Sequence, residues 1–299
     1  MNILCIGHAA YDTTVPVLDF PVENTKNRVP ERLGNGGGPA NNAAYLLGKW
    51  GMNTYFAGIV GDDQDGRKIE EELKQVGVNT KYLEFNKEHT TTSSFIIANQ
   101  KNGSRTIMTY RPSHMAMTDV SVTEDIDVIL VDGQEYEFSK KMLEQYPNAI
   151  SIIDAGRPVE EVIDLCHKVN YVVCSKEFAE TVANTKIEMD HFETLTQTLE
   201  TLEQLFHTTI VITLEAKGCL YRESGVVKIM PSLEVTPVDS TGAGDIFHGA
   251  FTYAISNHYS FEDSLRIACI AGAISVTRLG SRRSMPEKEE MKKYFYEFK

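Results

Sequence analysis

The chain has no surplus of positive charge and no paired cysteines, and these two absences remove several classes of function. Its 29 Lys and Arg face 42 Asp and Glu, a formal net charge of −13, so a nucleic-acid backbone would meet no compensating cationic surface. The five cysteines (Cys5, Cys166, Cys174, Cys219 and Cys269) are odd in number, scattered, and never spaced as Cys-x-x-Cys. Neither a zinc site nor a disulfide framework is indicated, and a reducing compartment is the simpler inference. No apolar run reaches the roughly 18 residues that would span a membrane, and no basic leader precedes the first apolar segment. A cytoplasmic protein without nucleic-acid or membrane partners is expected. Internal repeats and low-complexity linkers are missing too. The Gly-x-x-x-x-Gly-Lys-Ser/Thr phosphate loop does not occur. The dinucleotide fingerprint fails twice: Gly34-x-Gly36 is followed by Pro39 where a third glycine belongs, and Gly242-x-Gly244 by Phe247. No zinc-type histidine spacing or nucleophile elbow is seen. The single tryptophan, Trp50, closes a helix before Gly51 and reads as a packing residue.

What the chain does contain is an alternation of apolar strands and amphipathic helices. With 299 residues and 42% hydrophobic content it can bury a sizeable core. Strands are expected at residues 3–6, 54–60, 128–131, 150–153, 171–174 and 210–213. Helical stripes are carried by Ala40, Ala43, Ala44 and Leu47, by Ile69, Leu73 and Val76, and by Leu195, Leu199, Leu202 and Phe206. Such a pattern predicts a mostly parallel sheet covered on both faces, with ligands at the carboxyl ends of the strands. Two segments break the rhythm. Residues 93–98 and 105–110 are β-prone around the turn Asn102-Gly103, and residues 13–33 contain Pro16, Pro21 and Pro30 with little helical periodicity. The stripe Met291, Tyr294, Phe295 and Phe298 has helical spacing and is expected to pack on the core or its edge.

The most informative stretch is Val238-Asp239-Ser240-Thr241-Gly242-Ala243-Gly244-Asp245, followed by Ile246-Phe247-His248-Gly249-Ala250-Phe251. Phe247, Ala250, Phe251 and Ala254 recur at i, i+3, i+4 and i+7, so a buried helix face begins directly after the glycines. The amides of Gly242, Ala243 and Gly244 are then first-turn donors at the positive end of a helix, suited to a transferring phosphate. Asp245 beside them can take a proton from an attacking hydroxyl. Taken alone, Gly-x-Gly-Asp is as readily a glycine turn capped by Asp.

Read whole, residues 239–245 resemble the C-terminal signature of the ribokinase-like, or PfkB, carbohydrate kinase family. Gly36-Gly37-Gly38-Pro39-Ala40-Asn41-Asn42-Ala43 resembles its N-terminal Gly-Gly-x-x-x-Asn motif in the right order, and the likeness runs from the first strand through Arg278-Leu279-Gly280. The resemblance implies one kinase domain over residues 1–299, a three-layer α/β/α sandwich with a mostly parallel central sheet. It also implies a small β-sheet lid inserted from about 13–33 and 91–112 and often used for homodimerisation. It implies ATP and Mg²⁺, a small-molecule sugar, Asp245 as catalytic base, and Gly242, Ala243 and Gly244 as anion hole, with Thr241 alongside at the nucleotide.

Asp12 stands where the family uses a carboxylate to hold sugar hydroxyls; as a bare residue it could be a turn Asp. Gly36 and Gly37 would let backbone approach the sugar, and Asn41 can donate and accept toward hydroxyls. Arg105 on the lid could reach substrate or phosphate, or be solvated. Thr213 and Gly218 resemble the nucleotide-side Thr…Gly segment, although strand-end Thr and turn Gly are ordinary residues. Asp239, with the segment 275–280, resembles the enclosure of a monovalent cation such as K⁺; the alternative is a turn cap. His248 could approach the site or pack its helix.

One departure stands out. Many members carry Asn-x-x-Glu, whose Glu helps organise Mg²⁺, where this chain has Ser175-Lys176-Glu177-Phe178, leaving Glu177 one residue away. A Ser-Lys variant is shared with ketohexokinase-like members. With Gly-Gly-Gly-Pro-Ala and Phe-His-Gly-Ala, which resemble the sulfofructose kinase branch, it points to a ketose-like acceptor. A nucleoside kinase of the same fold and a non-catalytic sugar-binding regulator are the alternatives.

Overall fold

The computed structural model describes residues 1–113 and 115–298, so the last residue of the expected 1–299 unit lies outside it. In chain order the elements are β1 (Asn2–Ile6), β2 (Ala10–Val17), β3 (Leu33–Gly37), α1 (Pro39–Lys49), β4 (Asn53–Gly61), α2 (Gln64–Gln75), β5 (Asn79–Asn86), β6 (Ser93–Asn99), β7 (Ser104–Tyr110), β8 (Val128–Val131), α3 (Tyr136–Gln145), β9 (Ile150–Ala155), α4 (Glu160–Cys166), β10 (Tyr171–Ser175), α5 (Lys176–Ala183), α6 (Phe192–Phe206), β11 (Thr209–Thr213), β12 (Cys219–Glu223), β13 (Val226–Met230), α7 (Ala243–Ser256), α8 (Phe261–Ser275) and α9 (Lys288–Met291).

Nine strands form one sheet in the order β13-β12-β11-β10-β9-β8-β1-β4-β5. It is parallel from β11 through β5, and β12 alone is reversed, antiparallel to both β11 and β13. The parallel strands are apolar on both faces because both faces are covered. In β1, Ile3 and Cys5 enter a core with α1, α2, α7 and α8, while Leu4 and Ile6 enter a second core with α3, α4, α5 and α6. Packing on α1 is tight: Leu46 and Leu47 are fully buried, and truncating either to Ala would cost about 2–5 kcal/mol. Trp50 packs edge-on against Tyr253 and Phe298, and its indole N–H donates to the Pro286 carbonyl at 2.9 Å.

The chain leaves β1 for β4 and β5 on one side and returns to β8 on the other. That reversal opens a crevice beyond the carboxyl ends of β1 and β8. Gly7, His8 and Asp132 follow those two strands directly.

A second, four-stranded sheet has the order β3-β2-β6-β7. The β6–β7 hairpin turns at Gly103 with φ of 71°, as the Asn102-Gly103 signal predicts. The expected insert at 13–33 is corrected: its strands are Ala10–Val17 and Leu33–Gly37, and residues 18–32 form no strand. The glycine run reads as loop by composition, yet it pairs with β2 from Ala10↔Gly37 to Thr14↔Leu33. Pro16 lies past the last of these pairs, so on that side it interrupts no ladder bond. The C-terminal stripe packs on the core as expected, but not as one continuous helix. Only Lys288–Met291 is helical, and Met291, Phe295 and Phe298 are buried through the turns that follow, while Tyr294 is exposed. Among the described residues no helix is long and apolar enough to cross a membrane. All five cysteines are buried free thiols.

Candidate active site

Helix α7 begins without a side-chain cap. Its N-cap is Gly242, held at φ 75° in the left-handed region, and no side chain there accepts from the first turn. The Ala243 amide bonds the Ser240 carbonyl at 3.3 Å, whereas no described residue accepts from the Gly242, Gly244 or Asp245 amides. Uncapped first-turn amides at the end of a 14-residue helix are a ready acceptor for an anion. A Cβ on Gly244 would meet nothing within 4 Å, while one on Gly242 would strike Ser281 at 2.8 Å. The space over Gly244 is therefore open, and the loop beneath it is fixed.

The Asp239 carboxylate fixes that loop. It is buried and accepts from the Thr241 amide at 2.9 Å, the Thr241 hydroxyl at 2.6 Å and the Gly280 amide at 2.8 Å. Both oxygens thus join residues 239–241 to the segment after α8. His248, one turn into α7, is buried; Nδ1 lies 2.6 Å from the Gly244 carbonyl and 3.1 Å from Asp154 Oδ2, and Nε2 lies 3.0 Å from the Val173 carbonyl. The helix-packing reading of this residue holds, with polar ties to β9 and β10 added.

Asp245 is held by a residue that the sequence did not single out. Asn42 Nδ2 donates to Asp245 Oδ2 at 2.7 Å across the α1–α7 packing. Its neighbour Asn41 donates Nδ2 to the Gly37 carbonyl at 2.9 Å. The Oδ1 atoms of both asparagines are buried without a hydrogen-bond partner among the described residues. Only the faces they present on α1, known once α1 packs on α7, distinguish Asn42 from an ordinary helix residue.

Asp12 lies on β2 and is nearly buried, with a carboxyl pushed up to about 7, first by burial and also by the charge of Asp245; Ser94 and Arg282 pull the other way. Asp132 and Asp154, after β8 and at the end of β9, are raised by burial and also feel Asp245. Four carboxyls thus converge at the carboxyl ends of the central strands.

Gly36 and Gly37 have a different reason from the one the sequence suggests. A Cβ on Gly37 would fall 1.9 Å from Asp12 Oδ2, and one on Gly36 2.4 Å from Arg282 Nη2. The missing side chains make room for the protein's own charged groups. Arg282 is buried under β3, donating Nε to the Gly36 carbonyl at 2.9 Å, pairing with Glu72 at 2.8 Å and lying 4.3 Å over the Tyr45 ring.

The remaining expected residues are dispersed. Arg105 is exposed on β7 and donates Nη1 to the Ser240 hydroxyl at 2.8 Å, so it reaches the loop ahead of the glycines. Thr213 ends β11 with its hydroxyl on the Cys174 carbonyl at 3.2 Å. Gly218, at φ 94°, leaves space that the Met230 carbonyl occupies within 1.9 Å of a would-be Cβ. Glu177 is exposed in the first turn of α5, whose cap is the Ser175 hydroxyl. Among the described residues no group of three or more His, Cys, Asp or Glu is placed to hold a metal ion.

Comparison with known proteins agrees with this geometry. Residues 1–288 match the model of the pfkB family carbohydrate kinases. A ribokinase from Haemophilus influenzae is 24% identical over 266 residues, 85% of each chain. A nucleoside kinase from Methanocaldococcus jannaschii is 24% identical over 95% of this chain and 93% of its own. The crystal structure of an Agrobacterium tumefaciens protein superposes with a TM-score of 0.88 at 28% identity, covering 98% of this chain and 96% of that one.

Proposed function

Since the chain belongs to the pfkB family of carbohydrate kinases, we propose that it moves the γ-phosphoryl group of ATP to a hydroxyl of a ketose-like monosaccharide, with Asp245 as the base. One observation carries this reading: the Asp245 carboxylate, tethered by Asn42, stands at the open, uncapped start of α7.

In the proposed reaction Asp12 and the free Oδ1 of Asn41 accept hydrogen bonds from sugar hydroxyls, while Asn42 keeps Asp245 aimed at the reacting one. Asp245 takes the hydroxyl proton as the oxygen bonds to the γ-phosphorus and the bond to the bridging oxygen breaks, releasing ADP. Charge growing on the transferred group meets the amides of Gly242, Ala243 and Gly244, which require no reorganisation at that moment. Thr241 holds the loop through Asp239, and Thr213 and Gly218 border the nucleotide. Mg²⁺ arriving with ATP would neutralise phosphate charge; exposed Glu177 can meet its water shell, which suits an ion that keeps most of its waters.

The small sheet would close over the sugar. Its exposed Phe95, Met108 and Tyr110 form an apolar face suited to a second copy of the chain, which sedimentation of the purified protein would detect. The central test is a coupled ADP-release screen over ketoses, aldoses, their phosphates and nucleosides. ADP release with ketose-type acceptors is expected. Turnover confined to nucleosides would move the chain to the nucleoside kinases, and sugar binding without ADP release would make it a regulator.

A further inference from the structure

A second polar cluster lies beside the acceptor site and takes no part in the chemistry above. His8, directly after β1, sets its ring against the glycine run, with Cδ2 3.2 Å from where a Cβ on Gly38 would sit. Its amide donates to Asp132 Oδ2 at 2.8 Å, and the same oxygen accepts from the Ala40 amide at 3.1 Å. His8 is therefore fastened to the carboxylate that joins the switch-point crevice to the start of α1. Around it stand Arg111, just past β7, and Arg157, just past β9. Burial first, and then the charges of Arg111 and Arg157, lower the His8 ring to about 3, so the ring stays neutral.

Neither guanidinium is neutralised by a good partner. Arg111 Nη1 is buried and makes no hydrogen bond among the described residues. Its one ion pair among them is Nη2 to Glu135 Oε1 at 3.8 Å, too long for a hydrogen bond. The acids behind it are engaged elsewhere: Glu135 Oε2 accepts from the Met117 amide at 2.9 Å, and Asp132 accepts from the amides of His8, Ala40 and Gln134. Burial also raises the Glu135 carboxyl to about 7, which leaves less negative charge facing Arg111. Arg157 is exposed and has no ion pair within 4 Å among the described residues. Tyr110, just before Arg111, pairs with Ser93, which pairs with Tyr11 beside Asp12, so Arg111 leaves the small sheet on the Asp12 side, and Asp132 interacts with the charges of both Asp245 and Arg111.

We infer that the acceptor is an anionic sugar, carrying a phosphate, sulfonate or carboxylate at the end remote from the phosphorylated hydroxyl, and that Arg111 and Arg157 bind that group. The inference rests on the kinase reading for the word acceptor. A buried Arg donor without an acceptor is costly, and a bidentate oxyanion supplies what Arg111 lacks. A neutral sugar would leave it unpaired, and that difference is the source of selectivity.

The test pairs each anionic sugar with its neutral counterpart. The probes are fructose 6-phosphate, fructose 1-phosphate, 6-deoxy-6-sulfofructose and 2-keto-3-deoxygluconate, against fructose and the corresponding deoxy sugar. ADP release is measured with wild type, Arg111→Gln, Arg157→Gln and the charge-keeping Arg111→Lys. Binding of the same sugars is measured by calorimetry without ATP on Asp245→Asn protein, with and without the arginine substitutions. At least one anionic sugar should exceed its neutral partner in kcat/KM by tenfold or more. Each Gln substitution should cut that ratio by about 10- to 100-fold, and Arg111→Lys by less. Arginine-dependent binding of an anionic sugar without ADP release would leave the anion subsite standing and overturn the kinase reading alone. A neutral sugar turned over as well as its anionic partner, or calorimetry in which the substitutions leave anion binding unchanged, would overturn the inference.

Discussion

At Gly36 and Gly37 a methyl group would land on the protein itself, 2.4 Å from the Arg282 guanidinium and 1.9 Å from the Asp12 carboxylate, whereas at Gly244 it would meet nothing within 4 Å. Both segments are glycine-rich and both border the same crevice. In the first, the glycines let the chain pack its own charges against backbone. In the second, the space a side chain would take is open, as the proposed phosphate site requires. Substitution therefore separates the two: the strand glycines should register first as stability, and Gly244 as activity alone.

The proposed base beside the open segment should give the largest effect. Asp245→Asn is expected to lower kcat by about 10² or more with an unchanged melting temperature; near-wild-type turnover in single-turnover kinetics would remove Asp245 as base. Gly244→Ala comes next. A helix start with free space accepts Ala readily, so thermal stability should hold or rise slightly, while kcat/KM falls by about 10- to 100-fold as the methyl intrudes on the phosphate. A variant that is both stable and fully active would erase the proposed contrast.

Gly37→Ala and Gly36→Ala sharpen the other side. Each should destabilise by about 1–3 kcal/mol because Asp12 or the Arg282 guanidinium must move, visible as a lower midpoint in urea. Gly37→Ala should raise the KM for sugar with little change in that for ATP.

A smaller effect comes from pH. Asp12, Glu135 and Asp154 are each pushed up to about 7, burial being the first cause. A carboxyl raised in the folded state holds its proton more tightly there than in the unfolded chain. Its contribution to stability is complete below about pH 4 and is lost as pH rises through about 7. The melting temperature should fall between pH 5 and 8, less steeply in Asp12→Asn, while kcat/KM for the acceptor rises over the same interval as Asp12 ionises. A melting temperature that climbs through this range would contradict the assignment.

The smallest expected effect concerns the loop under Gly242. A monovalent cation seated by Asp239 would add to order that three hydrogen bonds already provide, so replacing K⁺ by Na⁺ at matched ionic strength should change kcat by only about two- to threefold. Equal rates in both salts would leave Asp239 with its hydrogen bonds alone.

Long-period patterns were legible in the sequence. Strands 128–131 and 210–213 were found at or within a residue of their bounds, because a buried parallel strand must be apolar on both faces whatever lies next to it. The turn at Asn102-Gly103 and the helix after Gly244 were readable for equally local reasons. The strand at 33–37 and the break in the helix over 288–298 were not legible, since these conformations answer to neighbours outside the segments: Arg282 and Asp12 for the glycines, Trp50 and Tyr253 for Phe298. Asn42, Asp132, Asp154, Arg111 and Arg157 left no local mark at all.

The sequence by itself determined the alternation of strand and helix, the uncapped glycine start of α7 and the carboxylate at its mouth, because each depends on residues within a few positions of one another. Only the tertiary structure decided which side chain steadies Asp245, why Gly36 and Gly37 must be glycines, and that Arg111 keeps a buried guanidinium nitrogen without a hydrogen-bond partner among the described residues. Those depend on strand order and on burial, which remove water and bring residues tens to hundreds of positions apart into contact, and no local pattern encodes them.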